Sequence, residues 1–156
     1  MDTPDGIKLS SSAVREALAA GRPEDAAAIL GRPFAIEGVV QHGDKRGRTI
    51  GFPTANVPLG DYVRPAFGVY ATRSRLPDGR EVAGVANLGR RPTVEGTEAR
   101  LEVNLFDFAE DLYGQTLETD LVRFLRGERR FEGLDALKAQ IAVDAGAARA
   151  LLLPAL

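Results

Sequence analysis

The residues best suited to chemistry are concentrated between Gly43 and Asn56. Gly43, Gly47 and Gly51 recur at four-residue spacing, interleaved with Lys45, Arg46 and Arg48. Glycines let backbone amides approach an anion closely, and the neighbouring cations add charge, so the segment suits a loop that covers phosphate. No Gly-Lys-Ser/Thr triplet follows, and the spacing also departs from the dinucleotide-binding pattern. The same composition would equally serve a mobile surface hairpin. Pro53 fixes its own φ and biases Phe52 towards an extended conformation, so the chain leaves the loop in a defined direction. Thr54 and Asn56 lie two residues apart, which on an extended segment points both side-chain oxygens the same way. A hydroxyl and an amide carbonyl are neutral hard-oxygen ligands. They suit a magnesium ion whose charge is balanced by nucleotide phosphates. Both residue types also bond readily to their own backbone, which would make the segment a plain turn.

A second candidate is Glu102. In the stretch Glu98 to Phe106, Ala99, Leu101, Val103 and Leu105 share one face, and Arg100, Glu102, Asn104 and Phe106 share the other. A carboxylate on the polar side of such a strand can face a cavity mouth and take a proton from an alcohol. It can also pair with Arg100 on the same face. The chain has no cysteine and one histidine, His42, which excludes a cysteine-based zinc site and a histidine-rich one. His42 reads as a solvated loop residue. Basic residues gather at Lys45, Arg46 and Arg48, at Arg90 and Arg91, and at Arg126, Arg129 and Arg130. Each cluster is either a solvated face or part of a shared site for one polyanionic ligand.

These residues need a scaffold, and 156 residues with 44% hydrophobic and 27% charged content fit one globular domain. Ser10 to Ser12 offer N-cap hydroxyls before a helix over Ala13 to Ala20, which stops at Gly21. Pro23, Glu24 and Asp25 open a second helix running to Leu30 and ending on Gly31. From Phe34 the texture changes to strands, marking a boundary near Gly31 to Pro33. Strands are predicted over Phe34 to Gln41, Phe67 to Leu76, Glu81 to Leu88, Glu98 to Phe106 and Thr116 to Leu125. Pro77-Asp78-Gly79 makes a hairpin of the second and third. Leu134, Leu137, Ile141, Ala145 and Ala148 form the apolar stripe of a C-terminal helix. Closely spaced strands followed by one long helix imply a mainly β domain, an antiparallel barrel capped by a helix. A net charge of −2 argues against bulk binding to nucleic acid or an anionic membrane. With no apolar signal core and no membrane-length apolar run, a soluble cytoplasmic protein is expected.

The Gly43 to Asn56 segment resembles the signature of riboflavin kinases, which stand alone in eukaryotes and form the C-terminal module of bacterial bifunctional FAD synthetases. The likeness continues in order through Gly68-Val69-Tyr70, Val85 to Thr93, Leu101 to Leu105, Asp107-Phe108 and Asp111 to Gly114. It closes with Phe124-Leu125-Arg126, Glu128, Phe131, Gln140-Ile141 and Asp144. It implies a six-stranded antiparallel Greek-key barrel with a C-terminal helix. The implied reaction moves the terminal phosphate of ATP, with magnesium, to the 5′-hydroxyl of riboflavin, giving FMN and ADP. By the same resemblance Thr54 and Asn56 are the metal ligands. Gly43, Lys45, Arg48, Gly51, Thr54, Asn56, Asp107 and Tyr113 lie towards ATP, and Glu102 is the catalytic base. Arg126, Arg129 and Phe131 belong to a flap over the flavin, with Asn104 beside it. Asn104 stands where many relatives carry histidine, so no neighbouring imidazole tunes the base.

Leu9 to Glu16 resembles a segment near the end of an adenylyltransferase module. Residues 1–31 therefore read as a helical linker, the remnant of such a module, and 32–156 as the kinase domain. The nucleotide-binding histidine motif of adenylyltransferases is missing, so no FMN adenylyltransferase activity is expected from these residues. Two other functions fit parts of the pattern. A non-catalytic flavin or nucleotide carrier would bind ligand without turnover. A nucleic-acid-binding barrel would need aromatic platforms along a basic groove, whereas this chain has no Trp and three Tyr.

Overall fold

A computed structural model describes residues 4–41, 55–59, 65–93, 96–108, 110–128 and 132–152. Two helices, α1 (Pro4–Ala19) and α2 (Pro23–Leu30), precede six strands and a last helix. The strands are β1 (Ala35–Val39), β2 (Ala55–Pro58), β3 (Gly68–Arg75), β4 (Glu81–Thr93), β5 (Gly96–Leu105) and β6 (Thr116–Gly127), and the helix is α3 (Leu134–Leu152). All strand pairs are antiparallel, in the order β1-β6-β3-β4-β5-β2. The meander β3-β4-β5 with β6 returning beside β3 is a Greek key.

The two ends of the sheet meet at a seam. The Gln41 amide donates to the Asn56 carbonyl at 2.8 Å. A Cβ on Gly38 of β1 would stand 2.7 Å from Cγ1 of Val57 in β2. Glycine there lets the valine close the barrel from within. The interior is filled by inward residues from every strand, including Ile36, Val57, Tyr70, Leu88, Leu101, Val103, Leu117 and Leu121. Full burial of each aliphatic side chain is worth roughly 1.5–3 kcal/mol. A short polar layer interrupts this core, where the buried hydroxyls of Ser74 and Thr119 share a hydrogen bond of 2.8 Å.

The alternation read for Glu98 to Phe106 holds in β5: Ala99, Leu101, Val103 and Leu105 are buried inside, and Arg100, Glu102 and Asn104 are half-buried outside. Several boundaries differ from the sequence expectations. α1 starts at Pro4, so Ser10 to Ser12 lie within the helix rather than at its cap. Proline suits a first helical turn because its missing N–H has no intrahelical acceptor there. β4 runs past Leu88 through Arg90 and Arg91, since β5 offers partners as far as Gly96. β6 continues through Arg126, which pairs with Val69. β2 was foreseen only as an extended exit from the glycine-rich loop.

α1 and α2 do not stand apart from the barrel. Leu18, Ala17, Val14 and Ala26 bury one another against Phe34, which also packs on the barrel core. The Ala66 amide donates to the Leu18 carbonyl at 2.8 Å, and the Ala66 carbonyl accepts the Tyr70 hydroxyl at 2.6 Å. Tyr70 meets Phe124 edge-on at 5.1 Å, so one chain of contacts ties the helical hairpin to the barrel interior. α3 lies on the outer surface. Ala145, Ala148 and Leu152 cover Val69, Ala71, Val85 and Phe106. Its deepest residues are Asp144, Ala148 and Leu152, while Leu137 and Ile141 of the expected stripe are half-buried. No helix among the described residues is long and apolar enough to cross a membrane.

Burial pushes the Tyr70 phenol well above the ordinary tyrosine range. Because the folded state disfavours the phenolate, this stabilisation is complete below about pH 10 and is lost as pH rises beyond it. Tyr70→Phe should cost about 1 kcal/mol at neutral pH by stranding the Ala66 carbonyl. It should also flatten the alkaline fall in stability. Urea unfolding of both proteins between neutral pH and pH 11 measures the two effects.

Candidate active site

Directly opposed residues of an antiparallel sheet present their side chains on one face. The register therefore lays a continuous row across the barrel wall: Asn56 of β2 opposite Glu102 of β5, Glu102 opposite Asn87 of β4, and Asn87 opposite Val69 of β3. Val69 in turn faces Arg126 of β6. Two of the expected site residues, Asn56 and Glu102, are thus brought side by side. Asn87 completes the group around the carboxylate. It belongs to the motif Val85 to Thr93 but was not singled out. An amide at an outward position of a strand otherwise bearing alanine and valine was the available signal.

Asn56 is 2% exposed, and among the described residues its Oδ1 has no hydrogen-bond partner. A buried, unpaired amide oxygen costs roughly 1–3 kcal/mol, so a ligand that accepts its lone pair repays that cost. A hard cation fits this donor, and so does a phosphate-bound magnesium in particular. Among the described residues no group of three His, Cys, Asp or Glu could hold a metal. Asn56 with Thr54 would supply neutral ligands. Thr54 lies outside the described residues, as do Gly43, Lys45, Arg48, Gly51, Arg129 and Phe131.

Arg100 does not pair with Glu102. Its guanidinium turns to Glu98, with Nε 3.1 Å from Oε2 and Nη2 closer still. In the sheet register the base candidate stands between two amides, Asn56 on β2 and Asn87 on β4. Asn104 follows on the same face, opposite Val85 at the margin of the α3 patch.

Arg126 carries the row to α3. Its Nε and Nη2 bond to Asp144 at 3.0 and 2.8 Å, and Gln140 donates to the same carboxylate at 2.9 Å. The side chains are 20% and 8% exposed, so the pair is largely desolvated. Of the other basic residues, Arg90 lies over the Phe67 ring at 5.3 Å.

Tyr113 is exposed and lies in a turn held by its amide to the Asp111 carboxylate at 2.9 Å. The next amide, Gly114, donates to the Val40 carbonyl. Since Gln41 bridges to Asn56, Tyr113 stands on the Asn56 side of the row. Asp107 takes a left-handed conformation just beyond β5 and faces Arg149 of α3 at 3.3 Å. The last three residues of β5 and a turn separate it from Glu102, and its partner is on α3 rather than in the row.

A Greek-key barrel with a helix on its outer wall and a carboxylate set between two amides defines the class. The riboflavin kinase (flavokinase) family model matches residues 30–152. The chain belongs to that family. It is 53% identical over 144 residues to the bifunctional riboflavin kinase/FMN adenylyltransferase of Escherichia coli, covering 92% of this chain and 46% of the relative. It therefore spans about half the length of such curated relatives. A solved structure described as a macrolide-efflux protein from Streptococcus pneumoniae superposes with a TM-score of 0.81 at 38% identity, over 89% of this chain and 46% of that one. Riboflavin kinase from Trypanosoma brucei shares the fold, with a TM-score of 0.54 at 23% identity over 78% of this chain and 81% of its own.

Removing one member of a largely buried ion pair strands the other charge. Asp144→Ala should destabilise the fold by about 3 kcal/mol. Chemical unfolding checks this, and a change under 1 kcal/mol would mean that Arg126 does not depend on Asp144.

Proposed function

We propose that the domain phosphorylates the 5′-hydroxyl of riboflavin with ATP, giving FMN and ADP. The observation that carries this reading is the Asn56–Glu102–Asn87 row, in which a carboxylate stands beside a buried amide oxygen without a partner. Family membership supplies the substrate class. Glu102 takes the hydroxyl proton as the new O–P bond forms and the bond from the γ-phosphorus to the bridging oxygen breaks, leaving ADP. A primary alcohol hardly ionises at neutral pH, so a positioned base contributes about 10²–10⁴-fold. Asn56 and Thr54 would hold magnesium, which would supply charge neutralisation on the phosphates when bound. The Gly43 to Gly51 loop, with Lys45 and Arg48, covers the phosphates, and Tyr113 stands on the nucleotide side. Asp107 would have to approach from the end of β5.

On the flavin side, Asn104 borders the row, and Arg129 and Phe131 follow the strand that Arg126 anchors. With Arg126 fixed to Asp144, closure over the flavin pivots after this residue, and water is kept from the transferred phosphate. Residues 1–31 act as the helical link to an adenylyltransferase half, the second activity named for the longer relatives, and 32–156 as the kinase. The start of the family match at residue 30 supports that division.

Chromatographic separation of flavins after incubation with riboflavin, ATP and magnesium tests the assignment. Glu102→Gln should lower the rate of FMN formation by about 10²–10⁴-fold with the fold retained. Asn56→Ala should raise the magnesium concentration needed for half-maximal rate. An active Glu102→Gln protein would move the base elsewhere, and an unchanged magnesium requirement would remove Asn56 from the metal site.

A further inference from the structure

Gly89 follows Asn87 by two residues on the outer face of β4, opposite Arg100 of β5. It is buried, and what covers it is Glu128: a Cβ on Gly89 would stand 2.4 Å from Oε2 of that carboxylate. Glu128 comes directly after β6 and is itself exposed. Its carboxylate lies across β4 in space that any residue larger than glycine would fill. Gly89 is also the diagonal neighbour of Glu102, about 7–8 Å away across the β4–β5 pair. The row thus has two sides. Asn56, with its unpaired buried oxygen, lies on one side of Glu102, and the Glu128 carboxylate on the other.

A carboxylate only accepts hydrogen bonds, and it repels phosphate. The Glu128 side of the row is therefore unsuited to the nucleotide and suited to neutral hydroxyls. We infer that Glu128, admitted by the bare Gly89, is a specificity residue that accepts a hydrogen bond from the hydroxyl-bearing side chain of the flavin. The ring system is not what it recognises. This inference rests on the reading of the row as the site where a flavin alcohol is phosphorylated. Strand geometry carries it, since β4 presents Asn87 and Gly89 on the face from which Glu102 projects.

Flavin fluorescence quenching on the full chain separates side chain from ring. Riboflavin carries the polyol, whereas lumiflavin has the same ring with a methyl group in its place. Glu128→Ala should raise the riboflavin Kd about tenfold, the scale of one charge-assisted hydrogen bond, and leave the lumiflavin Kd within about twofold. Gly89→Ala, which pushes the carboxylate aside, should do the same. In the Glu128→Ala background it should add nothing further. Lumiflavin binding also reports that each variant is folded. Unchanged riboflavin binding, or equal weakening for both flavins, would overturn the inference. The readout is binding, so a wild-type protein that discriminates the two flavins yet makes no FMN would sink the reaction while leaving Glu128 in its role.

Discussion

The pairing of β2 with β5 is the constraint on which the site depends. Only four residues, Ala55–Pro58, make this ladder, yet they close the barrel and place Asn56 opposite Glu102. Side chains alternate along a strand, so a slip of one residue would turn Val57 outwards and drive the Asn56 amide into the core. The core itself opposes that slip. Val57 is 1% exposed, packs among Leu101 and its neighbours, and fits over Gly38 across the seam. Gln41 fixes the other flank of Asn56 through a backbone hydrogen bond. The position of the proposed metal ligand is thus set by apolar packing one residue away.

The outer wall is divided between structure and chemistry. Over β3 and β4, small and branched residues receive α3, and the helix contributes Ala145 and Ala148 where close approach is needed. Next to this patch β4 presents Asn87 and Gly89 and β5 presents Arg100 and Glu102, which no helix covers among the described residues. Arg126 and Asp144 lie on the border, joining β6 to α3 through a largely desolvated ion pair. Side chains held on strands keep their geometry better than side chains on loops, and the proposed base Glu102 and the amides of Asn56 and Asn87 beside it are all on strands.

Much of this was legible in the residues. The alternation from Glu98 to Leu105 separated core from surface correctly, whereas Phe106, read on the polar face, is buried under α3 just beyond the strand. The turn at Pro77 to Gly79 located the β3–β4 hairpin. Asn56 and Glu102 were recognised through their motifs, but nothing in either motif shows that the two are opposite one another. That follows from pairing between segments more than forty residues apart. Asn87 and Gly89 were harder to read for the same reason. An amide and a glycine in a strand acquire meaning only from what lies across the ladder, Glu102 in one case and Glu128 in the other. The burial of Asp144 on α3 was also hidden. A sequence pattern marks Asp144 as a solvent-facing acid until β6 supplies an arginine, whereas the alanines around it were visible as a packing face.

If the β2–β5 register makes Asn56 and Glu102 one catalytic unit, their contributions to FMN formation cannot be independent. A double-mutant cycle on FMN formation under saturating magnesium-ATP and riboflavin, using Glu102→Gln, Asn56→Ala and the pair, measures this directly. The account predicts that the double variant is only slightly slower than the slower single variant. Rate losses that multiply in full would show two residues acting separately and would contradict it.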